Sequence, residues 1–391
     1  MANKNMDYSK YKKILVRSTN WLGDAVMTTP FFKLLRELFP DSEISVLALP
    51  YIAPVFENNP NIDKILILER KKGISGVFSS LKPLFTKAAA RYDLGISLPN
   101  SIGAALDLKG AGCREILGYN RELRGFLLDH KAPVTKEIFC FHESFYYMNI
   151  LRYFFGASNK NGAPSNENSM DNSSLSSKTA CGIIDKYFSD ISSGLGLAYE
   201  LYITEAEKNE AIQNLTNQGI DFDENIVIGI NPGAFFGSAK RWFTDRYAET
   251  VKTLSAENKN LKFVIFGSAK EIPIGEEIKK ASGASVINSC GRTSIRQLMA
   301  QIAVCDLFVT NDSGAMHIAG ANNIPIIAIF GSTDHISTYP ICRNYKIIRH
   351  AVECSPCKKR ECPQKHHNCM KLVSVTEVVK AIDSQLDLIK K

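Results

Sequence analysis

Residues 13–24 read KILVRSTNWLGD, and this stretch decides the fold class. Its first five residues form a short apolar run with β-branched side chains, which predicts a buried strand. Thr29 followed by Pro30 predicts the N-cap and first position of a helix. The apolar residues of that helix share one face: Phe31, Leu34, Leu35, Leu38 and Phe39. A strand, a loop and an amphipathic helix in this order predict the first unit of a doubly wound α/β domain.

A second unit of the same kind begins at residues 226–230, IVIGI, which are followed by Asn231-Pro232-Gly233. Further strands are predicted at 44–49, 65–68, 94–98, 263–266, 307–310 and 326–330. Helices are predicted at 245–255, 294–304 and 313–321. Short apolar strands that alternate with helices indicate parallel sheets covered on both faces.

The length of 391 residues favours two domains, or three small ones. Thr204 and Glu207 have the spacing of a capping box that opens a helix ahead of the second unit. The boundary therefore lies near residues 195–225, and we expect domains at 1–200 and 201–391. Residues 157–178 are rich in Ser and Asn and predict a flexible surface insertion, because they cannot bury enough apolar surface.

The composition, 45% hydrophobic and 22% charged, is that of an ordinary globular protein. No run approaches the roughly 20 apolar residues of a membrane-spanning helix, and the polar N-terminus lacks a secretory signal, so we expect a cytoplasmic protein. Lys and Arg number 47 against 40 Asp and Glu, a net charge of +7. That excess is too weak to indicate nucleic acid, but it is compatible with an anionic substrate or an anionic membrane surface.

Asp24 follows the first predicted strand, and ligands of open α/β sheets bind beyond the carboxyl ends of the strands. A carboxylate at this place is therefore a candidate for chemistry. The alternative is an N-cap aspartate, and the spacing alone favours that alternative.

Residues 231–242, NPGAFFGSAKRW, follow the first strand of the second unit. Gly233, Gly237 and Ser238 let the backbone approach a ligand closely, while Lys240 and Arg241 supply positive charge. The combination suits a diphosphate, although the spacing of a P-loop is absent. The alternative is a surface loop with solvated basic residues.

Residues 310–317, TNDSGAMH, follow another strand of the same unit. Asp312 and Ser313 are candidate caps, and the N-terminus of the following helix is a candidate anion site. His317 lies one turn into that helix. The alternative is a capped helix with a satisfied histidine.

The strings RSTNWLGDAVMTTP, NPGAFFGSAKRW and VTNDSGAMHIAGA together resemble the ADP-heptose:lipopolysaccharide heptosyltransferases of glycosyltransferase family 9, most closely their type II members. The resemblance covers nearly the whole chain, with the motifs in the right order. It implies a GT-B fold, in which two Rossmann-like domains face each other across a cleft. The N-terminal domain would receive the acceptor and the C-terminal domain the nucleotide sugar, for an inverting, metal-independent transfer.

The resemblance also assigns roles to single residues. Asp24 matches the proposed general base, and Lys240 matches the lysine that stabilises the departing diphosphate. The remaining donor-site matches are Asp312, Ser313, Gly314, His317, Gly233, Glu271 (ribose) and Thr293 (adenine). The expected donor is ADP-heptose, and the expected acceptor is the anionic inner core of lipopolysaccharide, at the first heptose.

Arg17 and Arg124 lie where the family places basic acceptor contacts, and the alternative for each is a solvated surface arginine. A helix-like stretch at 77–92 carries Lys82, Lys87 and Arg91 and is a candidate for peripheral contact with the inner face of the membrane. More often such a stripe is only a solvated face.

Four of the ten cysteines crowd into residues 354–369, which we call the cysteine tract: Cys354, Cys357, Cys362 and Cys369. Their number and one C-x-x-C spacing fit a structural zinc ion or an iron–sulfur cluster, with His366 and His367 nearby. Disulfides or simple buried thiols are the alternatives. Catalysis itself is expected to need no cofactor.

Two other functions remain open at the level of sequence. One is a family 9 transferase with a different donor or acceptor. The other is a nucleotide- or metal-binding regulator that has kept the fold. The presence of Asp24 argues against it, because a protein that only binds a ligand needs no catalytic base.

Overall fold

The computed structural model describes residues 8–69, 91–135, 137–156, 177–192 and 198–389. The chain divides into two compact units, Met1–Glu200 and Leu201–Lys391. Each unit is built around one six-stranded sheet in which every strand pairing is parallel. Within the described residues, no helix has both the length and the apolar character needed to cross a membrane.

The sheet of unit 1 has the strand order β3-β2-β1-β4-β5-β6. Its strands are β1 (Lys13–Arg17), β2 (Glu43–Ala48), β3 (Lys64–Ile67), β4 (Tyr92–Ser97), β5 (Cys113–Tyr119) and β6 (His130–Ala132). The helices are Leu22–Met27, Thr29–Leu38, Ile102–Gly110, Glu143–Phe155 and Ser177–Ser192, with 3₁₀ turns at Ala53–Phe56, Gly125–Leu127 and Glu137–Cys140. The order reverses direction between β1 and β4, which is the Rossmann arrangement and defines a switch point there.

The sheet of unit 2 repeats this topology in the order β12-β11-β10-β7-β8-β9. Its strands are β7 (Ile226–Asn231), β8 (Leu261–Ile265), β9 (Val286–Asn288), β10 (Leu307–Asn311), β11 (Ile326–Ile329) and β12 (Tyr345–Ile348). The helices are Glu205–Thr216, Thr244–Glu257, Ile272–Ser282, Ile295–Ala303, Gly314–Ala321, His335–Thr338, Asn368–Lys371 and Val375–Ile389, with 3₁₀ turns at Ser238–Lys240 and Ala269–Glu271. The switch point of this sheet lies between β7 and β10.

The predicted α/β class and all eight predicted strands are confirmed, with ends that differ by at most a few residues. Sequence patterning missed β5, β6, β9 and β12. Arg114 and Glu115 interrupt the apolar pattern of β5, and β6 is only three residues long, HKA. Such segments have only a weak periodic pattern in sequence. They are extended because their backbones hydrogen-bond to neighbouring strands of the sheet.

The N-cap predicted at Thr29 is wrong by one residue: Thr28 is the N-cap, the helix begins at Thr29, and a separate helix, Leu22–Met27, precedes it. The hydroxyls of Thr28 and Thr29 both donate to carbonyls of that preceding helix, at 2.7 Å each. The capping box of Thr204 and Glu207 is confirmed.

Two predicted surface features fall largely outside the described residues. Of the insertion at 157–178, only residues 177 and 178 are described, and they open the helix Ser177–Ser192. Of the helix-like stretch at 77–92, only Arg91 and Tyr92 are described; Tyr92 begins β4 rather than ending a helix.

Candidate functional site

The loops that follow β7 and β10 meet at the switch point of unit 2 through the side chain of Asn311, which is fully buried. Its amide nitrogen donates to the carbonyl oxygens of Pro232 at 2.8 Å and Gly233 at 3.3 Å. Its amide oxygen accepts from the backbone N–H of Trp242 and from the hydroxyl of Tyr247, both at 3.0 Å. One asparagine therefore fixes both ends of the loop that carries Lys240. Asn311 was not singled out from the sequence, because the candidate at this place was the charged residue that follows it, Asp312.

Lys240 and Asp312 form an ion pair at this switch point, with Nζ 2.6 Å from Oδ2. The carboxylate of Asp312 is 4% exposed and also accepts from the hydroxyl of Thr333 at 2.7 Å. Because the pair is shielded from water, its attraction is screened less than that of a surface pair. This contact joins the loop that begins with NPG to the NDSG motif through two residues that lie 72 positions apart along the chain.

The carboxylate of Glu271 lies against Gly233, which explains why this position holds a glycine. A Cβ atom at this position would stand 1.7 Å from Oε1 of Glu271, so only glycine leaves room for that side chain. Glu271 is buried, and its Oε2 accepts from the backbone N–H of Ser268 at 2.6 Å and from the Ser268 hydroxyl at 2.9 Å. Thr293 is partly exposed and directly precedes Ser294, the N-cap of the helix Ile295–Ala303.

Ser313 is the N-cap of the helix Gly314–Ala321 and accepts from the backbone N–H of Met316 at 3.4 Å. This confirms Ser313 as a cap. Asp312 is not the cap, and its carboxylate accepts hydrogen bonds from Lys240 and Thr333. Gly314 is the first residue of the helix, so its N-terminus opens directly beside the ion pair. A helix N-terminus and a lysine at one place are suited to a diphosphate.

His317 lies one turn into this helix and is buried. The pKa of His317 is lowered to about 4, mainly by burial; the charge of Asp312 opposes the shift and that of Lys240 adds to it. The imidazole is therefore neutral at pH 7 and adds no positive charge to the site.

The lowered pKa of His317 predicts acid sensitivity. In the unfolded chain this histidine is protonated below its ordinary pKa of 6.5, whereas in the folded chain it is protonated only below a pKa of about 4. Stability is therefore lost as pH falls through that window, by roughly 2–3 kcal/mol between pH 7.5 and 4.5. Urea unfolding at the two pH values measures the loss, and His317→Gln should lose less than the wild type by that amount. An equal loss in both proteins would contradict the prediction.

In unit 1, Asp24 is the third residue of the helix Leu22–Met27, in the turn that follows β1. The N-cap alternative is wrong, because Trp21 occupies the cap position. Asp24 is partly exposed, and its charge adds to burial in raising the pKa of the buried Tyr147. Asp24 thus lies at the carboxyl edge of its sheet, at the β1 switch point, near enough to Tyr147 for its charge to act on that hydroxyl.

Arg17 and Arg124 are both fully buried, which corrects the surface-arginine alternative. Arg17 donates from Nε to Asp107 at 2.9 Å and from Nη2 to Asn20 at 2.8 Å. Arg124 donates to the Ser97 hydroxyl at 2.8 Å, to the Tyr119 carbonyl at 3.1 Å and to the Pro99 carbonyl. Burial lowers its pKa to about 10. Neither guanidinium is exposed for direct contact with an acceptor. Arg17 joins the loop after β1 to the helix Ile102–Gly110, and Arg124 joins its own loop to the ends of β4 and β5.

All ten cysteines lie in the described residues and none forms a disulfide bond, including the four of the cysteine tract. Burial raises the pKa of Cys369, and the charges of Cys354, Cys357 and Cys362 add to this shift, so the four thiols gather in one region. Cys354 Sγ lies 3.9 Å from Nε2 of His366. Across the described parts of the chain, no three His, Cys, Asp or Glu side chains are arranged to hold a metal ion.

Two Rossmann-like units, one of which carries a lysine–carboxylate pair and a capped helix at its switch point, have the architecture that nucleotide-binding α/β proteins share. Glycosyltransferase family 9 (heptosyltransferase) matches residues 86–368, and the chain belongs to this family. It is therefore a glycosyltransferase, and the predicted resemblance is confirmed.

Curated relatives match over nearly their whole length. Lipopolysaccharide heptosyltransferase 2 of Escherichia coli K12 is 29% identical over 378 residues, which cover 96% of this chain and 98% of that protein. Lipooligosaccharide heptosyltransferase 2 of a Campylobacter jejuni strain (serotype O:6) is 28% identical over 377 residues, covering 95% and 98%.

Solved structures agree with the fold described above. The E. coli ADP-heptose lps heptosyltransferase II matches with a TM-score of 0.72 at 27% identity, over 97% of this chain and 100% of that one. A family 9 glycosyltransferase from Veillonella parvula matches with a TM-score of 0.74 at 21% identity, over 98% and 99%, which concerns the fold alone. The predicted GT-B class is thereby confirmed.

Proposed function

We propose that this protein transfers a heptose from ADP-heptose to the inner core of lipopolysaccharide, onto the first heptose, with inversion and without a catalytic metal. The observation that carries the proposal is the buried pair of Lys240 and Asp312 at the switch point, in a chain that belongs to family 9. The similarity to heptosyltransferase 2 proteins supports the choice of sugar and acceptor.

Unit 2 holds the donor in this proposal. Backbone N–H groups at the start of the helix Gly314–Ala321 and the Lys240 ammonium bind the diphosphate, where charge grows as the glycosidic bond breaks. Ser313 caps that helix, and the neutral His317 lies one turn into it. Glu271 takes the ribose with Oε1, since Ser268 occupies Oε2, and Thr293 borders the adenine.

Unit 1 supplies the base. The Asp24 carboxylate takes the proton of an acceptor hydroxyl as that oxygen attacks the anomeric carbon. The bond from that carbon to the diphosphate oxygen breaks on the opposite face, so ADP leaves with the electron pair and the configuration inverts. Arg17 and Arg124 contribute indirectly, by holding the loops that shape the acceptor side.

Donor and acceptor profiling with purified protein tests the function. Mass spectrometry should detect one added heptose on an inner-core acceptor that carries a single heptose, with ADP-heptose preferred over other nucleotide sugars. Transfer only from another donor, or only to another acceptor, would favour a different family 9 transferase. Binding of ADP-heptose without turnover would favour the regulator.

We also propose a cytoplasmic protein in peripheral contact with the membrane that carries the acceptor. Four large apolar side chains follow β5 and β6 at the carboxyl edge of the unit 1 sheet, the edge that also carries Asp24: Leu123, Phe126, Phe139 and Phe141. Leu123 is 90% exposed and Phe126 is 73% exposed, and the buried Arg124 between them anchors their loop. Burying such side chains in a lipid interface contributes about 1.5–3 kcal/mol each.

Replacing Leu123 and Phe126 together with glutamate is expected to lower binding to vesicles of anionic phospholipid severalfold in a sedimentation assay, because two apolar anchors become charged. Leu388→Glu alters an exposed leucine of unit 2 and should bind as the wild type does. Equal binding by all three proteins would exclude this loop as the contact.

The four cysteines of the tract support a proposal of a structural zinc ion or iron–sulfur cluster. Their type and number fit a four-thiolate set, although the sulfurs do not stand in ligand geometry. Elemental analysis and visible absorbance of anaerobically purified protein test it, with Cys354→Ser as the comparison. Metal-free wild-type protein would overturn it.

A further inference from the structure

The cysteine tract contacts the loop that carries Lys240 through its backbone. The backbone N–H of Ala239 donates to the carbonyl oxygen of Arg360 at 3.0 Å. A Cβ atom on Gly237 would lie 2.1 Å from that same oxygen, so Gly237 is the residue that admits the tract. Gly237 of the NPGAFFGSAKRW motif is thus explained by contact with a protein segment more than 100 residues away in sequence rather than by a ligand.

A side-chain contact reinforces this approach. The Phe236 ring lies 5.6 Å from the guanidinium carbon of Arg360 and 5.0 Å from Nζ of Lys240. Each cation is within the range of a cation–π interaction. The ring therefore links a residue of the tract to the ammonium that pairs with Asp312.

The tract also holds the loop that follows β11. The Ser355 hydroxyl donates to the Gly331 carbonyl at 2.6 Å, and the backbone N–H of Lys358 donates to the Ser332 carbonyl at 2.7 Å. The next residue, Thr333, donates its hydroxyl to Asp312. Both donors to the Asp312 carboxylate, Lys240 and Thr333, thus stand on loops that the tract contacts.

We propose that the cysteine tract is a brace that positions Lys240 and Thr333 on Asp312, with Arg360 as the positioning residue for Lys240. In the described part of the chain, the hydrogen bonds and ion pair of Lys240 and Asp312 involve no cysteine, and the tract reaches their loops through Ser355, Lys358 and Arg360. The inference rests on the proposed role of Lys240 in transfer, but the brace itself can be measured without turnover.

The turnover-independent test is the reactivity of the Lys240 amine. Brief acetylation with an N-hydroxysuccinimide ester, read by peptide mass spectrometry, should modify Lys240 several times faster in Arg360→Ala and in Phe236→Leu than in the wild type. Lys359→Ala removes a neighbouring exposed cation of the same tract and is the matched control. An unchanged rate at Lys240 in both test variants would overturn the brace.

Steady-state kinetics of heptosyl transfer provide a second test. Arg360→Ala should lower kcat about tenfold with little change in the KM for ADP-heptose, because a misplaced group costs rate more than binding. The same substitution added to Lys240→Met should have no further effect, since the positioned ammonium is already absent. A full tenfold loss in that background would show a general structural effect and overturn the proposal. Wild-type protein without heptosyl transfer, but with the acetylation result above, would refute the proposed function and leave the brace intact.

Discussion

Asp24→Asn is expected to lower kcat for heptosyl transfer by about 10²- to 10⁴-fold while leaving the affinity for ADP-heptose nearly unchanged. Asparagine has almost the same shape as aspartate but cannot take a proton from the acceptor hydroxyl. Asp24 stands in unit 1, and the residues proposed to bind the donor all belong to unit 2. Steady-state rates and calorimetric titration of the donor separate the two effects.

Asp41→Asn is the matched control for this change. Asp41 is an exposed carboxylate in the turn before β2, at the edge of the sheet opposite Asp24, so its neutralisation should leave kcat within twofold of the wild type. Full activity of Asp24→Asn would remove Asp24 from the mechanism and require another base.

Lys240→Met is expected to lower kcat by about 10²- to 10³-fold, with a smaller loss of donor affinity. The ammonium matters most when the departing diphosphate gains charge, so its removal acts on the transition state more than on the bound donor. The substitution also leaves the buried Asp312 carboxylate with the Thr333 hydroxyl but without its cation. Lys240→Arg keeps the charge and should recover part of the rate.

Two further variants separate catalysis from folding. Lys252→Met removes an exposed lysine of the helix Thr244–Glu257 and should behave as the wild type does. Lys240→Met, Asp312→Asn removes both charges and should regain any stability lost in the single variant, without regaining the rate. If donor affinity in Lys240→Met fell as far as kcat/KM, the lysine would serve ground-state binding alone.

The sequence determined the features that depend on neighbouring residues. The apolar runs at β1 and β7 and the Thr204–Glu207 capping box act over fewer than ten residues, so patterning predicted them. Strand β5, which contains two charged residues, was not predicted, because it is a strand through its pairing with β4. The same locality explains why the three motifs pointed to the site residues and to family 9.

Only the tertiary structure decided how distant residues meet. Arg17 and Arg124 were expected at an acceptor and lie buried, because their partners come from other elements: Asp107 from the helix Ile102–Gly110, Ser97 from the end of β4 and Pro99 from the loop after it. The pairing of Lys240 with Asp312 and the approach of Arg360 to Gly237 likewise join segments 72 and more than 100 residues apart. Side-chain type can be read from a sequence, but burial and partnership depend on which loops a sheet brings together. For that reason the sequence determined the fold class and the residue types available for chemistry, and the three-dimensional packing decided which of these residues meet and which hold the others in place.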